Sequence, residues 1–151
     1  MNTKTYSKIL LISSILGLLN GSYLTWLFIN LTYFSPQTQS FCDINSQISC
    51  SSIVTSRYAQ FFGLPICTVA GSVYLIMIIL AILSHRSEKP KNYFFAIALL
   101  SSAGTMMNII YTHNEWLFLK SICALCLLCL VFIITNLVTA ILGYLKADSL
   151  E

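Results

Sequence analysis

Four long apolar segments occupy most of this 151-residue chain. A helix needs about 20 apolar residues to cross the hydrocarbon core of a bilayer, which is roughly 30 Å thick. Only 9% of the residues are charged, whereas a soluble domain needs roughly a quarter to cover its surface. The sequence therefore predicts an all-α membrane protein, a four-helix transmembrane bundle that forms one domain over residues 1–151. The predicted helices cover about residues 9–30, 64–83, 93–111 and 117–145.

Basic residues are distributed unevenly over the two predicted sides of the membrane. One side holds both termini and the connection between the second and third helices, and it has Lys4, Lys8, Arg86, Lys89, Lys91 and Lys146. The other side has Arg57 and Lys120. The positive-inside rule therefore predicts that both termini are cytoplasmic. The basic residues do not gather on one face, so nucleic acid is not a predicted partner.

All six cysteines fall on or near the predicted outer side. Cys42 and Cys50 lie in the first connection, Cys67 begins the second helix, and the fourth helix begins with Cys123, Cys126 and Cys129. Disulfides persist on the periplasmic face of a bacterial inner membrane and on the lumenal face of the endoplasmic reticulum. The pattern therefore predicts a multi-pass protein whose outer face lies in one of these two oxidising compartments.

The outer connection, about residues 35–63, is too long for a passive link in so small a protein. Its second part reads "TSRYAQFFG". Thr55 or Ser56 can cap a short helix there, and Gly63 can end it before Pro65. The pattern predicts a short amphipathic lid helix over the mouth of the bundle.

Cys123 and Cys126 form a CxxC pair at the start of the fourth helix. Residues three apart on a helix are neighbours, and the unpaired N–H groups at a helix N-terminus favour a thiolate. A thiolate is the species that attacks disulfides and electrophilic quinones. Inert cysteines in a membrane helix are the alternative interpretation.

The residues by themselves leave other interpretations of the cysteines possible. Cys42 and Cys50 fit either a structural staple or a mobile pair that exchanges with the CxxC pair. A thiolate metal cage of Cys67, Cys123, Cys126 and Cys129 is a rival, as is a non-catalytic membrane protein or a transporter. The segment His113–Glu115 is predicted to form a solvated turn between the last two helices, with a role in handling quinone protons as its alternative.

The run "CDINSQISCSSIVTSRYAQFFGLP", followed much later by "CALC", closely resembles the vitamin K epoxide reductase family in its bacterial quinone-coupled branch. Gly71 and Tyr74 also match the family pattern. The resemblance covers about residues 8–145. It implies a membrane thiol oxidase that reduces ubiquinone or menaquinone, uses no metal and supports disulfide formation in exported proteins. No fused thioredoxin domain is expected, so a separate periplasmic thioredoxin-fold protein would be the partner, with membrane lipid around the bundle.

The resemblance also assigns roles to residues. Cys42 and Cys50 match the loop pair that takes electrons from the partner. Cys123 matches the cysteine that exchanges with Cys50, and Cys126 matches the cysteine that faces the quinone. Residues of the quinone pocket or beside it are implied at Val54, Ser56, Tyr58 and Phe62.

The sequence also departs from the family. Leu130 stands where vertebrate members have a pocket tyrosine, and no counterpart of their pocket asparagine is found. These departures favour quinone reduction over vitamin K epoxide reduction, which is the alternative. Cys67 and Cys129 are expected to be spare thiols.

Overall fold

The computed structural model describes residues 3–34, 40–45, 47–61, 64–87 and 89–149. Most of them are helical. The first helix, α1 Thr3–Ile29, continues into a π-helical turn, Asn30–Phe34. A short helix and a 3-10 turn, Arg57–Ala59, follow in the first connection, with a two-residue antiparallel pairing of β1 and β2. The elements are α1 Thr3–Ile29, α2 Cys50–Val54, β1 Gln60–Phe61, β2 Leu64–Pro65, α3 Ile66–Arg86, α4 Lys91–Leu119 and α5 Ala124–Asp148.

Four of these helices are long and apolar enough to cross a membrane, which confirms the predicted fold class. They pack as a ring in which α1 contacts α3 and α5, and α4 contacts the same two helices. We call the end at which α1 finishes and α5 begins the loop end, because the first connection lies there.

Small residues allow the helices to approach closely. A Cβ atom at Gly17 of α1 would overlap the ring of Tyr74 on α3, and one at Gly143 of α5 would overlap the ring of Phe94 on α4. Such contacts are typical of membrane helices, whose association depends on van der Waals packing. The aromatic rings therefore occupy the space that the missing side chains leave.

Two side chains of α1 hold α5 in place. The Asn20 side-chain amide donates a hydrogen bond to the Leu125 carbonyl, at 2.9 Å, and the Ser13 hydroxyl donates one to the Phe132 carbonyl, at 3.2 Å. Leu125 lies in the first turn of α5, between the two cysteines of the CxxC pair. The Asn20 bond therefore holds that first turn against α1, and the Ser13 bond holds α5 further along its length.

The third long helix extends further than predicted. Hydropathy ended it at about Tyr111, but α4 continues to Leu119, where Lys120 adopts a left-handed conformation with φ of 54°. The prediction of a solvated turn at His113–Glu115 is therefore wrong. Glu115 is only 2% exposed, because it lies on a buried face of the helix. The last helix begins at Ala124, seven residues later than expected.

The stretch predicted as the lid helix instead has the 3-10 turn Arg57–Ala59 followed by β1, and the short α-helix of the loop, α2, precedes it. Helix α2 begins at Cys50, because the Ser49 side chain accepts a hydrogen bond from the Ser52 N–H, at 3.3 Å. Thr55, expected as a possible first cap, follows the last turn instead. Ser56 precedes the 3-10 turn without capping it through its side chain.

Candidate redox site

Five of the six cysteines lie close to the loop end, and Cys129 lies one helical turn beyond Cys126. Cys42 and Cys50 form a disulfide with a Cα–Cα distance of 5.8 Å, and Cys67, Cys123, Cys126 and Cys129 are free thiols. Cys42, Cys50, Cys67 and Cys123 are buried in one apolar cluster, and Cys126 packs against it. Tertiary structure thus brings both predicted pairs together.

The closest contact between the two pairs joins Cys50 and Cys123. Their Sγ atoms are 3.1 Å apart, and both residues are 0% exposed. Thiol–disulfide exchange requires a thiolate in contact with one sulfur of a disulfide. The arrangement therefore allows Cys123 to exchange with Cys50 without a large movement of either segment.

Backbone hydrogen bonds hold the loop against the start of α5. The Ile122 N–H donates to the Gln47 carbonyl, at 2.8 Å, and the Ser49 N–H donates to the Ile122 carbonyl, at 3.3 Å. Ile48 and Ile122 thus pair as a parallel bridge. Because Ser49 precedes Cys50 and Ile122 precedes Cys123, this pairing sets the two sulfurs side by side.

Cys123 occupies the N-cap position of α5. Its Sγ accepts a hydrogen bond from the Cys126 N–H, at 3.3 Å, as a serine oxygen does at many helix starts. The pKa of Cys123 is lowered, first by a hydrogen bond from the Cys126 thiol and further by the N–H groups of Cys126 and Leu125, against the effect of burial and the Glu115 charge. The structure therefore favours the thiolate at Cys123.

Asp43 organises the loop around the disulfide, a role the sequence interpretation did not assign to it. Its carboxylate accepts hydrogen bonds from the Ser40 N–H at 2.8 Å, the Ser49 hydroxyl at 2.8 Å, and both the N–H and hydroxyl of Ser51 at 3.0 and 2.5 Å. Burial raises the pKa of Asp43, but these hydrogen bonds outweigh it and lower the pKa to about 2. In the sequence, the nearby serines Ser40, Ser49 and Ser51 could have indicated this role of Asp43.

Glu115 is a second residue near the redox site, and the sequence placed it in a predicted turn, with a role in handling quinone protons only as the alternative. Its side chain is buried at the loop end of α4, one helical turn before Leu119, which packs against the cluster that holds Cys123. Its Oε2 atom has no hydrogen-bond partner among the described residues. In the sequence, the polar segment His113–Glu115 before the CxxC pair could have indicated a buried acid, but its polarity favoured a turn.

The structure describes only some of the residues that the resemblance implied for the quinone pocket. Val54 is buried in the cluster that holds Cys42, Cys50 and Cys123. The Ser56 hydroxyl is buried and has no hydrogen-bond partner in the described part of the chain. Tyr58 lies in the 3-10 turn that packs on α4, and its side chain is outside the described part. Phe62 lies outside the described residues.

A cleft of about 200 Å³ lies between α3, α4 and α5. Its walls are almost entirely apolar, with Tyr74, Asn108 and Cys129 among the lining residues. The Tyr74 hydroxyl donates a hydrogen bond to the Cys129 carbonyl, at 2.9 Å. Cys129 therefore belongs to the wall of this cleft, one turn below the CxxC pair.

The predicted rival of a thiolate cage has no counterpart in the described part of the chain. No group of three or more His, Cys, Asp or Glu side chains is arranged there to hold a metal ion. We call the apolar cluster that contains Cys42, Cys50, Cys67 and Cys123 the sulfur cluster. Cys129 lies outside it and packs with Tyr74, Met77 and Ile133.

The family model of the vitamin K epoxide reductase family matches residues 8–141. The chain belongs to the vitamin K epoxide reductase family. This confirms the resemblance that the two cysteine pairs suggested, and no curated protein matches the chain. Members of the family are membrane oxidoreductases that use cysteines, are generally linked to quinones and generally work with thioredoxin-like partners. The chain is accordingly a multi-pass membrane protein with a redox function.

Proposed function

We propose that this protein is a thiol oxidase that transfers electrons from a thioredoxin-fold partner to a membrane quinone. Cys42 and Cys50 receive the electrons, and Cys123 and Cys126 pass them to ubiquinone or menaquinone. The product for the cell is a supply of disulfides in exported proteins. The proposed location is the bacterial inner membrane, with both termini cytoplasmic and the loop in the periplasm.

One observation carries the proposal, namely the 3.1 Å contact between the Cys123 and Cys50 sulfurs. A structural staple has no need of a free thiol in contact with it. Here the free thiol lies at a helix N-terminus, and hydrogen bonds from the Cys126 thiol and then from the N–H groups of that helix start lower its pKa. A disulfide in contact with a reactive thiol is suited to thiol–disulfide exchange, which a purely structural disulfide does not need.

The exchange between the pairs balances as follows. The partner first reduces the Cys42–Cys50 disulfide to two thiols. The Cys50 thiolate then attacks Cys123 of the oxidised CxxC pair, and Cys126 leaves as a thiolate. Cys42 next attacks Cys50, which restores the loop disulfide and releases Cys123. The structure has the covalent bonds expected after this last step, because Cys42 and Cys50 form a disulfide and Cys123 and Cys126 are free thiols.

The surroundings of the CxxC pair suit a quinone, which takes up two electrons and two protons when it binds there. Leu125 and Cys126 pack against the apolar sulfur cluster, and Val54 is one of its buried members. Apolar walls with few polar groups are typical of sites for flat ring ligands. Val54, Ser56, Tyr58 and Phe62 would line that site or lie beside it.

The partner is proposed to approach Cys42, the member of the loop pair that is not in contact with Cys123. Its flanking residues Phe41 and Ile44 are 73% and 69% exposed. Exposed apolar side chains on both sides of a reactive cysteine suit docking of another protein. Cys42 itself is buried, so docking has to move the loop before the partner's thiolate reaches the sulfur.

Quinol formation by the purified protein tests the proposal. The protein is mixed with a reduced thioredoxin-fold protein and a soluble quinone, and the quinol is followed by absorbance. We expect turnover with the wild type and a loss of about 10³-fold or more with Cys126→Ser, because the group that faces the quinone is removed. Unchanged turnover in that variant contradicts the mechanism.

Trapping tests the order of the relay. Without the Cys126 sulfur, Cys123 cannot return to the CxxC disulfide. Cys126→Ala should therefore accumulate a Cys50–Cys123 disulfide, which peptide mapping under non-reducing conditions detects. Cys129→Ala is the matched control, because it removes a thiol one turn away and should not trap this bridge.

A further inference from the structure

Glu115 is a buried acid in a membrane helix, and one of its two carboxyl oxygens has no hydrogen-bond partner among the described residues. The residue is 2% exposed, the oxygen without a partner is Oε2, and no ion pair with Glu115 occurs in the described part of the chain. A buried polar group without a partner is unfavourable, and ionisable residues within membrane helices usually have a function. The residue therefore needs an explanation beyond packing.

Its position points to the sulfurs. Glu115 lies one helical turn before Leu119, which packs against the sulfur cluster. Cys123 belongs to that cluster and Cys126 packs against it, so a charge on Glu115 would act on both thiols. A thiolate at Cys123 and a carboxylate at Glu115 would be two like charges in one buried site, which is strongly unfavourable at low dielectric.

We propose that Glu115 is the general acid of the redox centre, and that one buried negative charge alternates between Glu115 and Cys123 as the CxxC pair is oxidised and reduced. The inference rests on the proposed function and adds the path of the protons. Quinone reduction requires two protons as well as two electrons. The Cys126 thiol supplies one proton, and the Glu115 carboxyl supplies the other.

The proposed cycle balances in atoms and charge. In the oxidising half, the Cys123 thiolate and the Cys126 thiol form their disulfide and give up two electrons. The Cys126 proton and the Glu115 proton go to the quinone, so Glu115 is left as the carboxylate. In the reducing half, the two loop thiols form the Cys42–Cys50 disulfide and release two protons. One goes to Cys126 and one to Glu115, and Cys123 is again the only anion.

Infrared difference spectroscopy of the purified protein, without quinone, reads out Glu115 directly. The wild type is oxidised at the CxxC pair with a chemical oxidant and then reduced with a dithiol. We expect a C=O band of a protonated carboxyl group to appear on reduction and to be absent in Glu115→Gln. A wild-type spectrum without this band, or a band that persists in Glu115→Gln, overturns the proposal.

Separate measurement of the two half-reactions distinguishes a proton donor from a structural residue. Glu115→Gln keeps the shape of the side chain but cannot donate a carboxyl proton. We expect quinol formation to fall by about 100-fold, within the range of general acid catalysis. Alkylation of the reduced CxxC pair should be as fast as in the wild type, because Glu115 is already neutral when Cys123 is the thiolate.

Two control variants make the result specific. Glu115→Asp keeps a carboxyl group and should recover part of the lost rate, whereas Asn114→Gln changes a half-buried neighbour and should leave both half-reactions unchanged. If Glu115→Gln slows alkylation and quinol formation equally, or if its quinol formation equals that of the wild type, the proposal is wrong. If the wild type itself forms no quinol, the failure lies with the proposed function, and the infrared result still decides the role of Glu115.

Discussion

Both ends of the bundle have an apolar cluster, but different contacts position the key groups at each end. At the loop end, a disulfide, the hydrogen bonds to Asp43 and two backbone bonds at Ile122 position the sulfurs. At the opposite end, Phe94 fills the space beside Gly143, and a second apolar cluster surrounds it. Hydrogen bonds can be exchanged one at a time, whereas a close-packed core changes only as a whole. The positions of the sulfurs therefore depend on polar contacts that can change one at a time, in addition to apolar packing.

Removal of the Cys123 sulfur should affect the redox end most. Cys123→Ser keeps an oxygen that can cap α5, so helix stability should be preserved while exchange with Cys50 is lost. We expect quinol formation to fall by about 10³-fold or more with little change in Tm. Cys67→Ser, at another buried thiol of the same cluster, is the control. Comparable activity in the Cys123 variant and the wild type would contradict the relay.

Overpacking at the opposite end should show the reverse pattern. The Cβ atom of Gly143→Ala would overlap the Phe94 ring, so the free energy of unfolding should fall by about 1–3 kcal/mol. Turnover per folded molecule should stay near the wild-type value. Gly71→Ala is the matched control, because its Cβ would have only an ordinary contact at 4.0 Å with Leu18. The two variants can be compared by thermal unfolding in detergent.

Loss of the Asp43 carboxylate should loosen the loop without unfolding the bundle. Hydrogen bonds to a charged group stabilise by about 1.5–3 kcal/mol, so Asp43→Asn should raise proteolysis within the loop by about tenfold or more. Asp148→Asn removes a carboxylate that pairs with Lys91 at the opposite end, and it should not affect the loop. Equal proteolysis of the two variants would contradict the role of Asp43.

The same carboxylate predicts how the loop responds to acid. Its pKa is lowered from 3.8 to about 2 in the folded protein. Its stabilising contribution is therefore complete above about pH 4 and is lost as the pH falls through about 2. Proteolysis with an acid-stable protease should show the wild-type loop opening over this range. Asp43→Asn should lack this transition and remain loose at every pH.

Cys129→Ala should have the smallest effect. Cys129 lines the apolar cleft and packs against Tyr74, and neither contact belongs to the proposed relay. We expect turnover to stay close to that of the wild type and the free energy of unfolding to fall by about 1 kcal/mol. A large loss of quinol formation would show that Cys129 takes part in the reaction.

Much of the fold was predictable, whereas the site was predictable only in part. Hydropathy located four helices and placed the cysteines near one end, because both features depend on local composition. It placed the end of α4 too early, because His113, Asn114 and Glu115 resemble a solvated turn when each is judged by its own polarity. The left-handed Lys120 ends the helix instead, and this leaves Glu115 on a buried face.

The sequence by itself determined the membrane class, the family and the presence of two cysteine pairs, since these follow from composition, spacing and motif. The resemblance implied exchange between Cys50 and Cys123. Only the tertiary structure decided that Gln47 and Ser49 bind the backbone of Ile122 beside these sulfurs, and that Glu115 is buried one helical turn before Leu119, which packs against their cluster. Such contacts join segments far apart in the chain. Their partners depend on how the helices pack and where each one ends, which no local pattern records.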